Sequence, residues 1–350
     1  MKTAQKANMF MLGWLLCVPE IMGQILETEP RLQQLPPLVF QVVTHTMMFL
    51  VPCLIALWVW RKDWRAMLPL RGMGWKNAGM VVLLMVLAQP IMMFVSALST
   101  LLFENTTATA VGGMAAQGGL WPTMLVIAVL PAILEEVMFR GILLAGYRRQ
   151  SIWVAVLVNG LFFGMMHLNP QQFLYAFLLG MLFTYMVRCT RSLWTGILAH
   201  FMVNGMQTLL LFATMTATEV AAEESAAELA ASPIMMWAEA NPVLFAVLLM
   251  LGASIVVAPF FGLLLHAFHR HNQQRNALAD AVAVRPETAQ MLADAAAIGV
   301  IGAADANEQL NTAAAMDVSA EVHRPFDWTF WIIIILYAFL MLAPYILPRG

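Results

Sequence analysis

The feature that most constrains this chain is its repeated supply of apolar stretches about twenty residues long. A helix needs roughly 20 residues to cross the ~30 Å hydrocarbon core of a bilayer. A helix also satisfies its own backbone hydrogen bonds there, which an isolated strand cannot. About nine stretches meet that length criterion, near 8–26, 37–60, 78–102, 121–146, 151–168, 171–188, 192–213, 242–268 and 328–347. Of the 350 residues 61% are hydrophobic and only 11% charged, too few charges to clothe a water-exposed surface of that size. We expect an all-α fold, a polytopic transmembrane helix bundle of about nine spans. The first and fifth stretches are the weakest, being short or broken by polar groups. No inverted repeat is evident, in contrast to many transporter folds. A net charge of -2 implies no nucleic-acid partner. The three cysteines have no CxxC spacing, so neither a disulfide framework nor a cysteine metal site is suggested.

Basic residues in short connections set orientation. Lys2 and Lys6 precede the first stretch, and Arg61, Lys62, Arg65, Arg71 and Lys76 follow the second. Arg148 and Arg149 follow the fourth, Arg188 and Arg191 the sixth, Arg270 and Arg275 the eighth. These are alternate connections; the others carry Glu104, or Glu219, Glu223, Glu224 and Glu228. The pattern predicts a multi-pass protein of a bacterial inner membrane with a cytoplasmic N-terminus. Its first stretch reads as a retained helix rather than a cleaved signal sequence. The expected organisation is N-terminal spans over 1–119 and a chemistry-bearing core over 120–213. An acidic, helical outer loop follows over 214–241, then a span over 242–268. An Ala-rich cytoplasmic insertion, partly helical and partly disordered, covers 269–327, and the last span and tail cover 328–350.

Within this apolar frame stands LPAILEEVMFRG, residues 130–141. A carboxylate at the bilayer centre costs at least ~2.5 kcal/mol, so Glu135 and Glu136 need a reason to be there. Glu136 and Arg140 are four apart, share a helix face and are ordered for pairing. Glu135 is turned about 100° away and stays free to act on something else. A buried ion pair that only fixes packing would explain Glu136 and Arg140, but not the second carboxylate. In NGLFFGMMHLNP, residues 159–170, Gly160 and Gly164 form a small-residue face for close helix approach, and Phe163 and His167 are four apart. In WTGILAHFMVNGMQ, residues 194–207, His200 and Asn204 are four apart. Taken singly, His167 reads more readily as a satisfied interfacial histidine than as a catalyst, and His200 with Asn204 reads as an interhelical polar clamp. Counted from the arginines at about 1.5 Å per residue, Glu135 lies ~20 Å deep, His167 ~27 Å, and His200 and Asn204 ~13–20 Å. Motifs that meet in the middle-to-outer part of the bundle argue for one site.

A carboxylate and an imidazole can polarise a water for attack on a carbonyl. A second imidazole and an amide can donate to the resulting oxyanion. That set describes peptide hydrolysis without a covalent nucleophile, and the sequence holds no HExxH, GxSG or GxGD motif. EExxxR (Glu135, Glu136, Arg140), FxxxH (Phe163, His167) and HxxxN (His200, Asn204), in that order on successive helices, resemble the type II CAAX prenyl endopeptidase and bacteriocin-processing family of intramembrane proteases, also called Abi or CPBP proteins. The resemblance covers roughly residues 120–210. It implies an intramembrane endopeptidase with Glu135 as general base and His167 as its partner. Glu136 and Arg140 would orient the site, and His200 and Asn204 would stabilise the oxyanion. It implies either a metal-free glutamate peptidase or a metallopeptidase. We favour no cofactor; the zinc alternative would use Glu135, His167 and His200 with an open coordination position. The implied partners are the lipid bilayer and a peptide or membrane-protein substrate, prenylated in the CAAX-type case. Two other functions fit the same residues. One is a proton-coupled transporter with Glu135, His167 and His200 as its relay. The other is a non-catalytic membrane scaffold that binds a partner through the insertion or the acidic loop.

Overall fold

The computed structural model describes residues 4–60, 64–221, 233–284 and 325–346. The elements are α1 Ala4–Thr28, α2 Pro37–Val59, α3 Trp75–Thr100, α4 Thr106–Gly118, α5 Leu120–Gly146, α6 Ile152–Met165, α7 Pro170–Thr190, α8 Leu193–Ala221, α9 Pro233–Ala240, α10 Pro242–Val284 and α11 Trp328–Ile346. No strand occurs among the described residues, and the fold is all-α as expected. Seven helices, α1, α2, α3, α5, α7, α8 and α10, are long and apolar enough to cross a bilayer. The chain is a multi-pass membrane protein. The two remaining stretches of the expected set form shorter apolar helices, Ile152–Met165 and Trp328–Met341. At 14 residues α6 is about 21 Å long, less than the hydrocarbon core. Most of its residues are buried by protein rather than offered to lipid.

In the segment expected as an acidic outer loop, residues 214–221 extend α8 and 233–240 form α9. Of the Ala-rich insertion, 269–284 continue α10. Residues 222–232 and 285–324 lie outside the described residues, as do Lys2, Arg61 and Lys62. The chain divides into two compact units, Met1–Phe261 with Arg324–Gly350, and Gly262–His323. The described part of the second is the distal part of α10, where Asn272 Nδ2 donates to the Phe268 carbonyl at 2.9 Å within the helix. The motif residues all belong to the first unit.

In that unit α5 is the central helix. Of its apolar window 61% is buried, against 22% for α1 and for α2. Prolines make tie points here. Proline has no N–H, so the carbonyl four residues earlier loses its helical partner. Pro52 frees Met48 O, which accepts from Trp14 Nε1 at 2.9 Å. Pro131 frees Ile127 O, which accepts from Asn204 Nδ2 at 2.9 Å. Neighbouring helices thus satisfy what proline leaves open, as the membrane interior requires. Around Pro131, α5 widens into π turns at Leu125–Val129 and Val137–Leu143. They bracket Leu130–Glu136, and such turns are frequent at functional sites.

The small-residue face of α6 does what its spacing suggests. A Cβ on Gly160 would fall 2.9 Å from Met181 N, and one on Gly180 2.9 Å from Gly160 Cα. Backbones of α6 and α7 therefore touch, which carries the Gly180 carbonyl toward α5. At the arginine-rich end the connections are stitched together. Arg71 Nη2 donates to Thr190 O at 3.2 Å, Leu193 N to Pro69 O at 2.9 Å and Trp194 Nε1 to Leu70 O at 3.2 Å. Arg188 donates to Arg148 O at 3.0 Å and to Gln150 O at 3.1 Å. Trp75 and Trp153, 93% and 66% exposed, stand at this same end, as interfacial tryptophans do.

Candidate active site

Glu136 and Arg140 form a sealed pair, 0% and 1% exposed. Arg140 Nη1 donates to Glu136 Oε1 at 2.6 Å, and Nη2 donates to Gly180 O at 3.1 Å. The guanidinium lies 4.3 Å from the Phe163 ring centroid and 5.2 Å from that of Phe183, so aromatic faces cover what hydrogen bonds do not. The surrounding network is continuous. Thr184 Oγ1 lies 2.7 Å from Gly180 O and 3.1 Å from Asn159 Oδ1, and Asn159 Nδ2 donates to Phe139 O at 2.9 Å. Glu136 Oε2 is packed against Gly196, where a Cβ would fall 2.4 Å from it. Gly196 is the space in which this carboxylate fits.

His200 connects this layer to the next. Its Nδ1 donates to Glu136 Oε1 at 3.0 Å. A carboxylate only accepts here, so the proton sits on Nδ1 and the ring orientation is fixed. Nε2 then faces Glu135 Oε2 at 4.0 Å. The other oxygen, Glu135 Oε1, lies 3.5 Å from His45 Nε2. Glu135 is therefore flanked by two imidazoles, one from α8 and one from α2. His45 was not a sequence candidate. The rule that singles out Glu135, an ionisable side chain inside an apolar span, applies equally to His45 in the 37–60 stretch. Gln41 stands four residues before it, but no recognised motif joins the two, so only the fold shows what His45 faces.

His167 follows α6 in the turn to α7. Its Nδ1 donates to Phe163 O at 2.8 Å, which leaves Nε2 as the acceptor. The next residue, Leu168, has φ 47, a left-handed conformation that costs on the order of 1–3 kcal/mol for a bulky residue. That strain lies beside the candidate histidine. Glu135, His45, His167, His200 and Asn204 all line one cavity of about 730 Å³. Glu136 and Arg140 do not line it; they stand behind its wall. The fold thus brings four of the six sequence candidates to the cavity and leaves Glu136 and Arg140 off its lining. Asn204 commits one of its two amide hydrogens to Ile127 O, so the polar-clamp role is realised in addition to its place on the cavity.

The set considered for zinc does not assemble. Among the described residues no three His, Cys, Asp or Glu side chains are gathered as a metal-ligand group.

Comparison with known proteins agrees with the motif. Residues 117–206 match the model of the family described as type II CAAX prenyl endopeptidase Rce1-like. A curated protein of Bacillus subtilis (strain 168), named "Putative membrane peptidase YdiL", is 29% identical over 85 residues. That alignment covers 24% of this chain and 35% of the relative, so the chain spans about a third of the length of the curated protein it matches. No solved structure matches. The matched segment includes α5 to the middle of α8 and with it Glu135, Glu136, Arg140, His167, His200 and Asn204. His45 falls outside it.

Proposed function

We propose that the protein is an intramembrane endopeptidase in which Glu135 activates water for attack on a peptide carbonyl. One observation carries this reading: of two adjacent buried carboxylates, one is neutralised by Arg140 and the other faces the cavity between two imidazoles. A carboxylate so placed, with the rings of His45 and His200 beside it, can take a proton from water. As the tetrahedral intermediate collapses and the C–N bond breaks, the proton taken by Glu135 passes to the leaving amine nitrogen; His167, whose Nε2 carries the lone pair, is a second acceptor on the same cavity. His200, when protonated, donates from Nε2 to the developing oxyanion, and Glu136 stabilises that charged form. The second N–H of Asn204 supplies a further donor. Arg140 touches no reacting atom; it holds Glu136, which holds His200. No step in this scheme passes through a metal.

The substrate class is a peptide or membrane protein reached within the bilayer. A prenylated C-terminus is the narrower form suggested by the description of the matched family. With the basic connections on the cytoplasmic side, the N-terminus lies in the cytoplasm of a bacterial cell. A proton-coupled carrier would need its polar path to continue past the site. Behind Glu136 the polar groups of Arg140, Thr184 and Asn159 are themselves buried and tied to the Gly180 and Phe139 carbonyls, which favours hydrolysis. The test compares protein termini in membranes from cells with wild-type protein and with Glu135→Gln at equal abundance. Termini present only with wild type are expected. Proton-driven uptake that is lost in Glu135→Gln, with no change in termini, would replace this reading with the carrier.

A further inference from the structure

We propose that the site receives its substrate from the membrane face opposite the arginine-rich connections, and that the substrate is an uncharged internal segment of an exported or membrane-anchored polypeptide. This rests on the proteolytic reading for the word substrate, but the side of access stands on its own observations.

The first observation is where the cavity opens. Its floor residues Glu135, His45, His200, Phe163 and Phe183 are buried, whereas Thr106, Ala108, Ala110 and Gln207 on its rim are exposed. These rim residues belong to α4 and to the distal half of α8. Gln41 opens α2, Ser96 closes α3 and Gln171 opens α7, and all three also line the cavity. Every one of those helix ends is the end away from Arg71, Arg148, Arg188 and Arg191. From the arginine side the floor is blocked twice: by the layer of Arg140, Glu136, Phe139 and Phe183, and by the hydrogen-bonded connections beneath it.

The second observation is the charge of the lining. Among the described lining residues Glu135 is the one acidic residue, and none is Lys or Arg. A free C-terminal carboxylate drawn to this floor would meet Glu135 with only the imidazoles of His45, His167 and His200, and no permanent cation, to offset it, a burial that is expensive. An internal peptide segment brings no such charge. Its amide groups need donors and acceptors instead, and the rim is made of them. Gln171 Nε2 donates to Ser96 Oγ at 3.2 Å and to Thr100 Oγ1 at 3.2 Å, and Gln172 bonds Thr107. These neutral bonds between α4, α3 and α7 can be exchanged for bonds to a peptide backbone at little net cost.

The arginine-rich face is cytoplasmic by the distribution of basic residues, so the mouth faces outward. The test uses the full chain in intact cells, in a background with Cys17→Ser, Cys53→Ala and Cys189→Ala. Thr107→Cys and Ala110→Cys sample the rim; Arg149→Cys samples the exposed arginine end. A membrane-impermeant maleimide is expected to label positions 107 and 110 in intact cells and position 149 only after permeabilisation. Labelling of 107 and 110 only after permeabilisation overturns the proposal, whatever position 149 does. The terminus comparison between wild type and Glu135→Gln then locates the cuts. Internal cuts in outward-facing, uncharged segments are expected, and cuts at the C-termini of cytoplasmic proteins would overturn the substrate class. No change in termini at all would defeat the proteolytic reading, while the labelling would still decide the face.

Discussion

Glu135 and Glu136 are neighbours in sequence, yet one ends on a cavity wall between two imidazoles and the other ends in a sealed layer against a guanidinium. The contrast between these two regions teaches how a membrane protein affords adjacent acids. The sealed half concentrates its bonds: Glu136 Oε1 has two charge-assisted donors, and Arg140 has a carboxylate, a carbonyl and aromatic faces, while Glu136 Oε2 and Arg140 Nε are buried without a hydrogen-bond partner. The open half is under-satisfied: Glu135 has only a 3.5 Å and a 4.0 Å contact to imidazoles.

Replacing the open acid should give the largest effect on turnover and the smallest on folding. Glu135→Gln keeps the shape and removes the base, so turnover should fall by about 10²–10⁴ while the melting temperature holds. Retained turnover would show that the two acids do not divide their roles in this way. Arg140→Ala attacks the opposite side. It leaves Glu136 as an uncompensated buried charge, which costs about 3–5 kcal/mol of stability. The melting temperature and activity should fall together. Arg140→Lys should not rescue it, because an ammonium cannot reach Glu136 and Gly180 O with a planar fork while lying on Phe163. A normal melting temperature with lost activity would move Arg140 from support into the reaction.

Much of this contrast was legible in the sequence. The i,i+4 spacing of Glu136 and Arg140 foretold their pairing, and the turn between consecutive residues foretold that Glu135 would point elsewhere. Gly160 and Gly164 marked the close packing of α6, and His167, His200 and Asn204 came to the cavity that Glu135 lines. What could not be read was anything that depends on a second helix. His45 meets Glu135 from ninety positions away by the packing of α2 on α5, Asn159 joins the arginine layer through Thr184, and Gly196 is a hole shaped by a distant carboxylate. Within 151–168 the helix is only Ile152–Met165, shorter than the stretch suggested, as suits a helix buried by its neighbours.

Asn204 sits on the border between the halves and so tests the division more finely. If its second N–H serves the oxyanion, Asn204→Ala should lower kcat by about 10²–10³ with little change in KM. The same change also strips Ile127 O of its donor, a buried loss of about 1–3 kcal/mol. A fall in melting temperature with kcat intact would leave Asn204 as the proline tie alone.

Gly196→Ala is the smallest perturbation and touches only the sealed half. Its Cβ would fall 2.4 Å from Glu136 Oε2, so the carboxylate or α8 must shift. Overpacking of this kind costs about 1–3 kcal/mol. If the sealed half acts on chemistry only by aiming His200, that shift should lower kcat more than it raises KM, since His200 moves with Glu136 while the cavity rim stays in place. Rescue is then expected from Glu136→Asp in the same chain, whose shorter side chain restores the room that the methyl group takes. An alanine variant with unchanged kcat and a lowered melting temperature would mean that the aim of His200 comes from the Phe163 and Phe183 rings, 5.8 Å and 5.5 Å from its own, rather than from the carboxylate.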